Sequence, residues 1–229
     1  MLKLKDWSFW EKELYINNLN FVVIGAGIVG YSTALQLKKK HPNSKILILE
    51  RGILPTGAST KNAGFTCFGS PTEIQSDIDK MGVAEVGAII EKRWKGLEIL
   101  MDTVGKDTID YQNSGSFEIF KTSEKELFDK TVSQIDDLNK IIFQVIGKEN
   151  TYHKVPSQQF GFENICGILK NQYEGQINTG KMMYRFHQLT ISKDIKVLFG
   201  IDVKDWNYAS NGVIVETSVG TIKTEKLLI

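Results

Sequence analysis

Three stretches of the sequence predict an α/β fold built on parallel strands. Phe21-Val22-Val23-Ile24 is a short, β-branched apolar run that ends at a glycine, the pattern of a strand buried on both faces. Ile28 to Lys40 reads as a helix, with Ala34, Leu35 and Leu37 apolar and Lys38-Lys39-Lys40 then Pro42 as its stop. Ile46-Leu47-Ile48-Leu49 is a second buried strand. Strand, helix and strand within about thirty residues form a βαβ unit, which makes the strands parallel and the crossover right-handed.

The other elements follow in chain order. Trp7, Phe9, Trp10, Leu14 and Tyr15 give an initial helix an apolar face, expected to pack on the sheet or a neighbouring helix, with membrane contact as the alternative use. Residues 51 to 71 are glycine-rich and polar, without a period. Val83, Val86, Ile90, Trp94, Leu97, Met101 and Val104 then recur at helical spacing and predict one long amphipathic helix, despite Gly87 and Gly96. Ser116 to Phe120 alternates like a half-buried strand. A second long helix is expected to open at a Ser123/Glu126 capping box and to bury Leu127, Ile135, Leu138, Ile142 and Val145. Asn178 to Leu189 reads as a helix and Ile195 to Phe199 as a strand. Val213–Glu216 and Thr221–Lys223 flank Val219-Gly220 as a hairpin, and Leu227-Leu228-Ile229 starts another apolar strand. With no turn or cap after that strand, the sequence is expected to be a fragment whose partner elements lie further on.

Composition narrows the function classes. The 229 residues carry 28 Lys plus Arg against 27 Asp plus Glu, a formal net charge of +1, so no clustered basic face argues for a nucleic-acid partner. No apolar run reaches the ~20 residues of a membrane span, and the first residues lack the apolar core of a secretory signal. Cys67 and Cys166 stand alone, with no CxxC pair, which points to two packed thiols and a cytoplasmic location. His41, His153 and His187 have no metal-ligand spacing, and no GxSxG elbow is present. Gly175 to Met182 imitates a phosphate-binding P-loop, but Met182 stands where the magnesium-binding hydroxyl belongs; Gly52 to Ser59 has Ala58 in place of its lysine.

The chemistry sits between the first strand and the first crossover helix. Gly25-Ala26-Gly27-Ile28-Val29-Gly30 is a GxGxxG motif in the strand–turn–helix context that gives the motif meaning. Gly25 allows the tight turn, a side chain at Gly27 would block a pyrophosphate, and Gly30 lets helix and strand pack closely. The backbone N–H groups and positive end of the helix then hold phosphates. Glu50 closes the second strand 20 residues past Gly30, where a carboxylate accepts the ribose hydroxyls of a dinucleotide and repels a 2′-phosphate. These features do not separate NAD from FAD.

The continuation does. Glu50-Arg51-Gly52, followed by Gly57-Ala58-Ser59-Thr60-Lys61-Asn62-Ala63-Gly64-Phe65, resembles the FAD-dependent oxidoreductases of the D-amino-acid oxidase superfamily, which include glycine oxidase and sarcosine oxidase. The family's second loop has a GAS-x-[RK]-N-x-G pattern, and every position of it is filled here. The resemblance implies that Ser59, Thr60, Lys61, Asn62, Ala63 and Gly64, with Arg51, cover the pyrophosphate and approach the flavin ring. Lys61 and Asn62 are then the candidates for tuning the ring. Glu174 to Thr179 looks like the family's re-entry turn, and Val203 matches a valine whose backbone reads the adenine. The implied architecture is a Rossmann-type FAD-binding domain with an inserted α+β substrate domain, both incomplete. Residues 1–80 and 175–229 are assigned to the FAD domain and 81–174 to the substrate domain.

On that resemblance the expected activity is oxidation of a carbon–nitrogen bond in an amino acid or secondary amine, with oxygen or a quinone as electron acceptor. A 2-hydroxy-acid oxidoreductase would carry the same cofactor motifs. An NAD-binding dehydrogenase or sensor would account for Gly25 to Glu50 but not for Ser59 to Gly64, and a non-catalytic dinucleotide-binding fragment is the remaining alternative. Cys67, just past the loop, is read as a packed thiol, with covalent flavin attachment as its functional alternative.

Overall fold

A short helix α1 (Phe9–Tyr15) precedes the two buried strands, β1 (Leu19–Ile24) and β2 (Ile46–Glu50), joined by helix α2 (Ile28–Lys40). These belong to a computed structural model that describes residues 3–229. Strand β3 (Phe65–Thr66), helices α3 (Pro71–Met81) and α4 (Val83–Val104), strand β4 (Ser116–Lys121), helix α5 (Lys125–Ile146) and strands β5 (Tyr152–Val155), β6 (Ile165–Asn171) and β7 (Gly175–Gln176) follow. Helix α6 (Thr179–Ser192) then leads to β8 (Lys196–Phe199), β9 (Val203–Ala209), β10 (Gly212–Thr217) and β11 (Gly220–Leu228). The chain divides into two units: one runs to Ala63 and resumes at Thr179–Ile229, the other is Gly64–Asn178.

The first unit is a six-stranded sheet in the order β8-β2-β1-β11-β10-β9. Its four parallel strands run β8-β2-β1-β11, so they lie in the spatial order third, second, first, fourth, which is the Rossmann order. Ile46 to Leu49 are all buried, which is why they read as a continuous apolar run rather than an alternating one. Leu4, Leu19, Val22, Leu47, Leu49, Val213, Val215 and Ile222 form one core of this unit. The chain leaves β1 toward β2 on one side and returns to its other side as β11, so the switch point of the sheet falls at the carboxyl end of β1.

In the second unit β4, β6 and β5 form an antiparallel sheet, and β3 pairs with β7. Phe68, Ile74, Val86, Ile90, Phe120, Phe128, Leu138, Ile142, Tyr152 and Leu169 build its core. Gly167 explains a glycine inside β6: a Cβ there would lie 2.1 Å from Cζ of Phe128, whose ring fills that place.

The structure corrects several sequence expectations. Helix α3 packs with α4 and α5 in the second unit, Gly64–Asn178. The Ser123/Glu126 capping box does not form. A 3₁₀ turn occupies Thr122–Glu124, and Glu124 accepts the Lys121 N–H at 2.8 Å instead. That entry turns Phe128 inward and leaves Leu127 exposed. Leu227 and Leu228 do not start a new strand; they finish β11, which pairs antiparallel with β10 and then parallel with β1. The face of α1 is divided. Trp7, which precedes α1, packs on the core, while Phe9, Trp10 and Leu14 of the helix are exposed, so the expected packing holds for only part of the stretch.

Candidate functional site

The site is built at the switch point, where β1 gives way to α2. Gly25 has φ +91°, a left-handed turn that a side chain disfavours, and its N–H donates to Leu49 O at 2.8 Å. Gly30 is forced by contact: a Cβ there would stand 1.9 Å from Gly25 O and 3.6 Å from Val23 Cγ1. Gly27 caps α2, whose first N–H groups have no partner within the helix, and Ala26 beside it is buried. One of those N–H groups, from Ile28, donates to Ser59 Oγ at 3.0 Å. A Cβ on Gly27 would meet the same hydroxyl at 3.1 Å. Val29, 73% exposed, leaves the mouth of the helix open.

Glu50 stands at the end of β2, half-buried. Its Oε2 accepts the Ala26 N–H at 2.9 Å and its Oε1 accepts the Gly52 N–H at 2.8 Å. A carboxylate has about four lone-pair sites, so two remain for the vicinal hydroxyls of a ribose. The stretch that leads to Val203 is fastened to the same place, because Ile201 N–H donates to Glu50 O and Gly200 N–H to Gly52 O, both at 2.9 Å. Val203 starts β9 opposite Thr217, beside an irregularity in the ladder, and its side chain packs on the core.

The second loop supports itself. Thr60 and Lys61 N–H groups donate to Gly57 O, Thr60 Oγ1 donates to Pro55 O at 2.9 Å, and Asn62 Nδ2 donates to Ala58 O and Ser59 O. Lys61, Asn62 and Ala63 are exposed, as is Arg51. Gly64, with φ +79°, lies in the second unit, where its carbonyl accepts Ile177 N–H at 2.8 Å. Within the first unit the structure therefore gathers Gly25–Gly30, Glu50–Gly52, Ser59 and the approach to Val203.

Sequence reasoning missed a pair behind the motif, a buried tyrosine and a half-buried histidine. Tyr31, one residue past Gly30, is fully buried with its ring parallel to Phe186, and its hydroxyl lies 3.2 Å from Nδ1 of His187 on α6. Burial, with the charge of Glu50 adding to it, pushes the Tyr31 hydroxyl up to about 12, while burial pushes His187 down. Which of the two atoms donates follows the tautomer of the imidazole. The lone His187 carried no spacing signal, because its partner comes from another helix.

The family profile described as FAD dependent oxidoreductase (DAO) matches residues 20–229. The comparison with curated protein sequences found no match. Among solved structures, glycine oxidase from Geobacillus kaustophilus is similar at 17% identity and TM-score 0.62, covering 92% of this chain and 54% of its own. L-proline dehydrogenase from P. horikoshii is similar at 16% identity and TM-score 0.65, with 92% and 52% covered. L-α-glycerophosphate oxidase from Mycoplasma pneumoniae, solved with FAD bound, is similar at 14% identity and TM-score 0.64, with 93% and 53% covered. The chain spans about half the length of these structures.

Proposed function

The chain belongs to the FAD-dependent oxidoreductase (DAO) family, and on that premise we propose that it supplies the dinucleotide-binding half of an enzyme that oxidises a carbon–nitrogen bond of an amino acid or secondary amine. The observation that carries the cofactor reading is the open helix mouth: glycine at position 27, exposed Val29, and N–H groups of α2 converge where an anion is needed. The residues fit FAD by their donor chemistry. The turn Gly25–Gly30 holds the pyrophosphate, Glu50 accepts the adenosine ribose hydroxyls, and the backbone at Val203 reads the adenine. Ser59 to Gly64 cover the phosphates and approach the ring, with Lys61 supplying a cation near it.

FAD held by these residues would supply the hydride-accepting chemistry for oxidation of the substrate carbon–nitrogen bond. The protein contributes binding, orientation and charge. Gly30 fixes the distance between strand and helix, Glu50 would offer its remaining lone pairs to the ribose hydroxyls, and Ser59 Oγ accepts the Ile28 N–H at the helix mouth where a phosphate would be held. The glycerophosphate oxidase likeness supports a second reading, oxidation of a carbon–oxygen bond on the same cofactor site.

The test is a visible absorption spectrum of the purified chain, then titration of colourless protein with FAD and with NAD. The proposal expects uptake of FAD in preference to NAD, and reduction of the bound flavin by amines rather than by hydroxy acids. Preference for NAD would refute the cofactor assignment; reduction by hydroxy acids alone would leave FAD standing and replace the substrate class.

A further inference from the structure

Tyr31 is fully buried, and the cofactor site as described does not use it. It stands in the first turn of α2, where its N–H donates to Gly27 O at 3.0 Å and makes the first bond of the helix. Its ring lies parallel to that of Phe186 at 6.1 Å and edge-on to that of His187 at 6.2 Å. Its hydroxyl is 3.2 Å from Nδ1 of His187. Both partners belong to α6, which packs against α2. A buried polar group left without a partner costs free energy, so the imidazole is what allows a tyrosine rather than a phenylalanine in this place.

The same histidine reaches toward the other half of the site. Its ring lies 5.6 Å from that of Phe199 at the end of β8, and Phe199 stands directly opposite Glu50 in the β2–β8 ladder. The charge of Glu50 is felt at the Tyr31 hydroxyl, which agrees with that proximity. A run of contacts therefore leads from the first turn of α2 through Tyr31, His187 and Phe199 to the strands that carry Glu50, all within the first unit. The Ala26 N–H bond to Glu50 ties the turn before the helix to β2, and the Tyr31–His187 contact ties the helix itself.

We infer that Tyr31 and His187 are positioning residues for the dinucleotide: their contact fixes the first turn of α2, whose N–H groups face the pyrophosphate, relative to Glu50, which takes the ribose. The inference rests on the cofactor assignment proposed above. The contact is already made in the free protein. Its loss reaches FAD affinity only if the nucleotide needs helix mouth and carboxylate held at a set spacing. A contact that merely stabilised the fold would lower the melting temperature and leave FAD affinity as it was.

FAD titration of the chain and its variants, each paired with a thermal melt, tests this. Tyr31→Phe removes only the hydroxyl, and His187→Leu removes its partner; both keep a side chain of similar bulk, so the fold is retained. Each is expected to weaken FAD binding about three- to tenfold, the scale of one hydrogen bond. The double variant is expected to lose no more than either single one, because both remove the same contact. His187→Asn sets a polar δ atom where Nδ1 stands and is expected to restore most of the affinity lost in His187→Leu. Ile222→Val, which trims the core of the same unit, is expected to lower the melting temperature and leave FAD affinity unchanged. Wild-type affinity in either Tyr31→Phe or His187→Leu overturns the inference while leaving FAD in place. Additive losses in the double variant, or equal losses in His187→Asn and His187→Leu, overturn the hydroxyl–imidazole contact as their cause. A wild-type chain that takes up no FAD overturns the cofactor assignment, and this inference with it.

Discussion

Replacing Gly30 by alanine tests the site where its geometry is tightest. The added Cβ would lie 1.9 Å from Gly25 O and 3.1 Å from Gly25 C, both main-chain atoms that cannot swing aside. A carbon–oxygen contact is comfortable from about 3.3 Å, so strand turn and helix must separate by about 1.4 Å. Overpacking of this kind costs roughly 1–3 kcal/mol, and a backbone clash belongs at the upper end. Alanine in a helix recovers up to about 1 kcal/mol against glycine, which leaves a net loss of about 2 kcal/mol. For a chain of this size that is a drop of about 4–8 °C in melting temperature. The separation also pulls on the Gly25 N–H bond to Leu49 O and moves the helix mouth, so FAD binding should fall by about tenfold or more. Gly96→Ala is the internal comparison. Its Cβ meets nothing within 4 Å on an exposed face of α4, and it should stabilise by about 0.5–1 kcal/mol. Thermal melts and FAD titration of both variants decide the matter. A Gly30→Ala protein with unchanged melting temperature and FAD affinity would refute the reading of Gly30 as the contact that sets the strand–helix distance.

Further outcomes follow from the same structure. Glu50→Ala removes the acceptor of two N–H groups and should cost about 1 kcal/mol of stability, because water reaches this half-buried place, and about 10- to 100-fold in FAD affinity; urea unfolding and FAD titration read the two separately. Gly167→Ala drives a methyl into Phe128 and should cost about 2–3 kcal/mol, and a Phe128→Leu partner should recover part of it in a double-mutant cycle. Burial raises the Glu174 carboxyl, so the folded chain holds its proton more tightly than the unfolded chain. That contribution is fully present below the ordinary glutamate value and is lost as pH rises through the raised one. Unfolding free energies measured across this window should fall with pH less steeply in Glu174→Gln than in the wild type. An identical slope would show that Glu174 does not titrate there.

The parallel βαβ core and the glycine motif were legible in the sequence because both depend on local chemistry. A strand buried on both faces must be a continuous apolar run, and a turn under a phosphate must be glycine at fixed spacing. The two long helices were legible for the same reason, since an amphipathic face repeats along one element. Helix α3 was not: Ile74 and Ile78 are too sparse to show a period, and only Ser70, Pro71 and Glu73 marked its start. Strand β6 was hidden by Gly167, whose missing side chain belongs, in space, to Phe128 of α5. What only the tertiary structure decided are pairings between distant elements. Ser59 on the Ile28 N–H, Tyr31 with His187, and Glu174 under the 68–69 turn join residues 31, 156 and more than 100 positions apart. No periodicity or spacing along the chain encodes such contacts. They exist because folding brings donors and acceptors from distant segments together where they are wholly or partly shielded from water, so that each is satisfied by a partner.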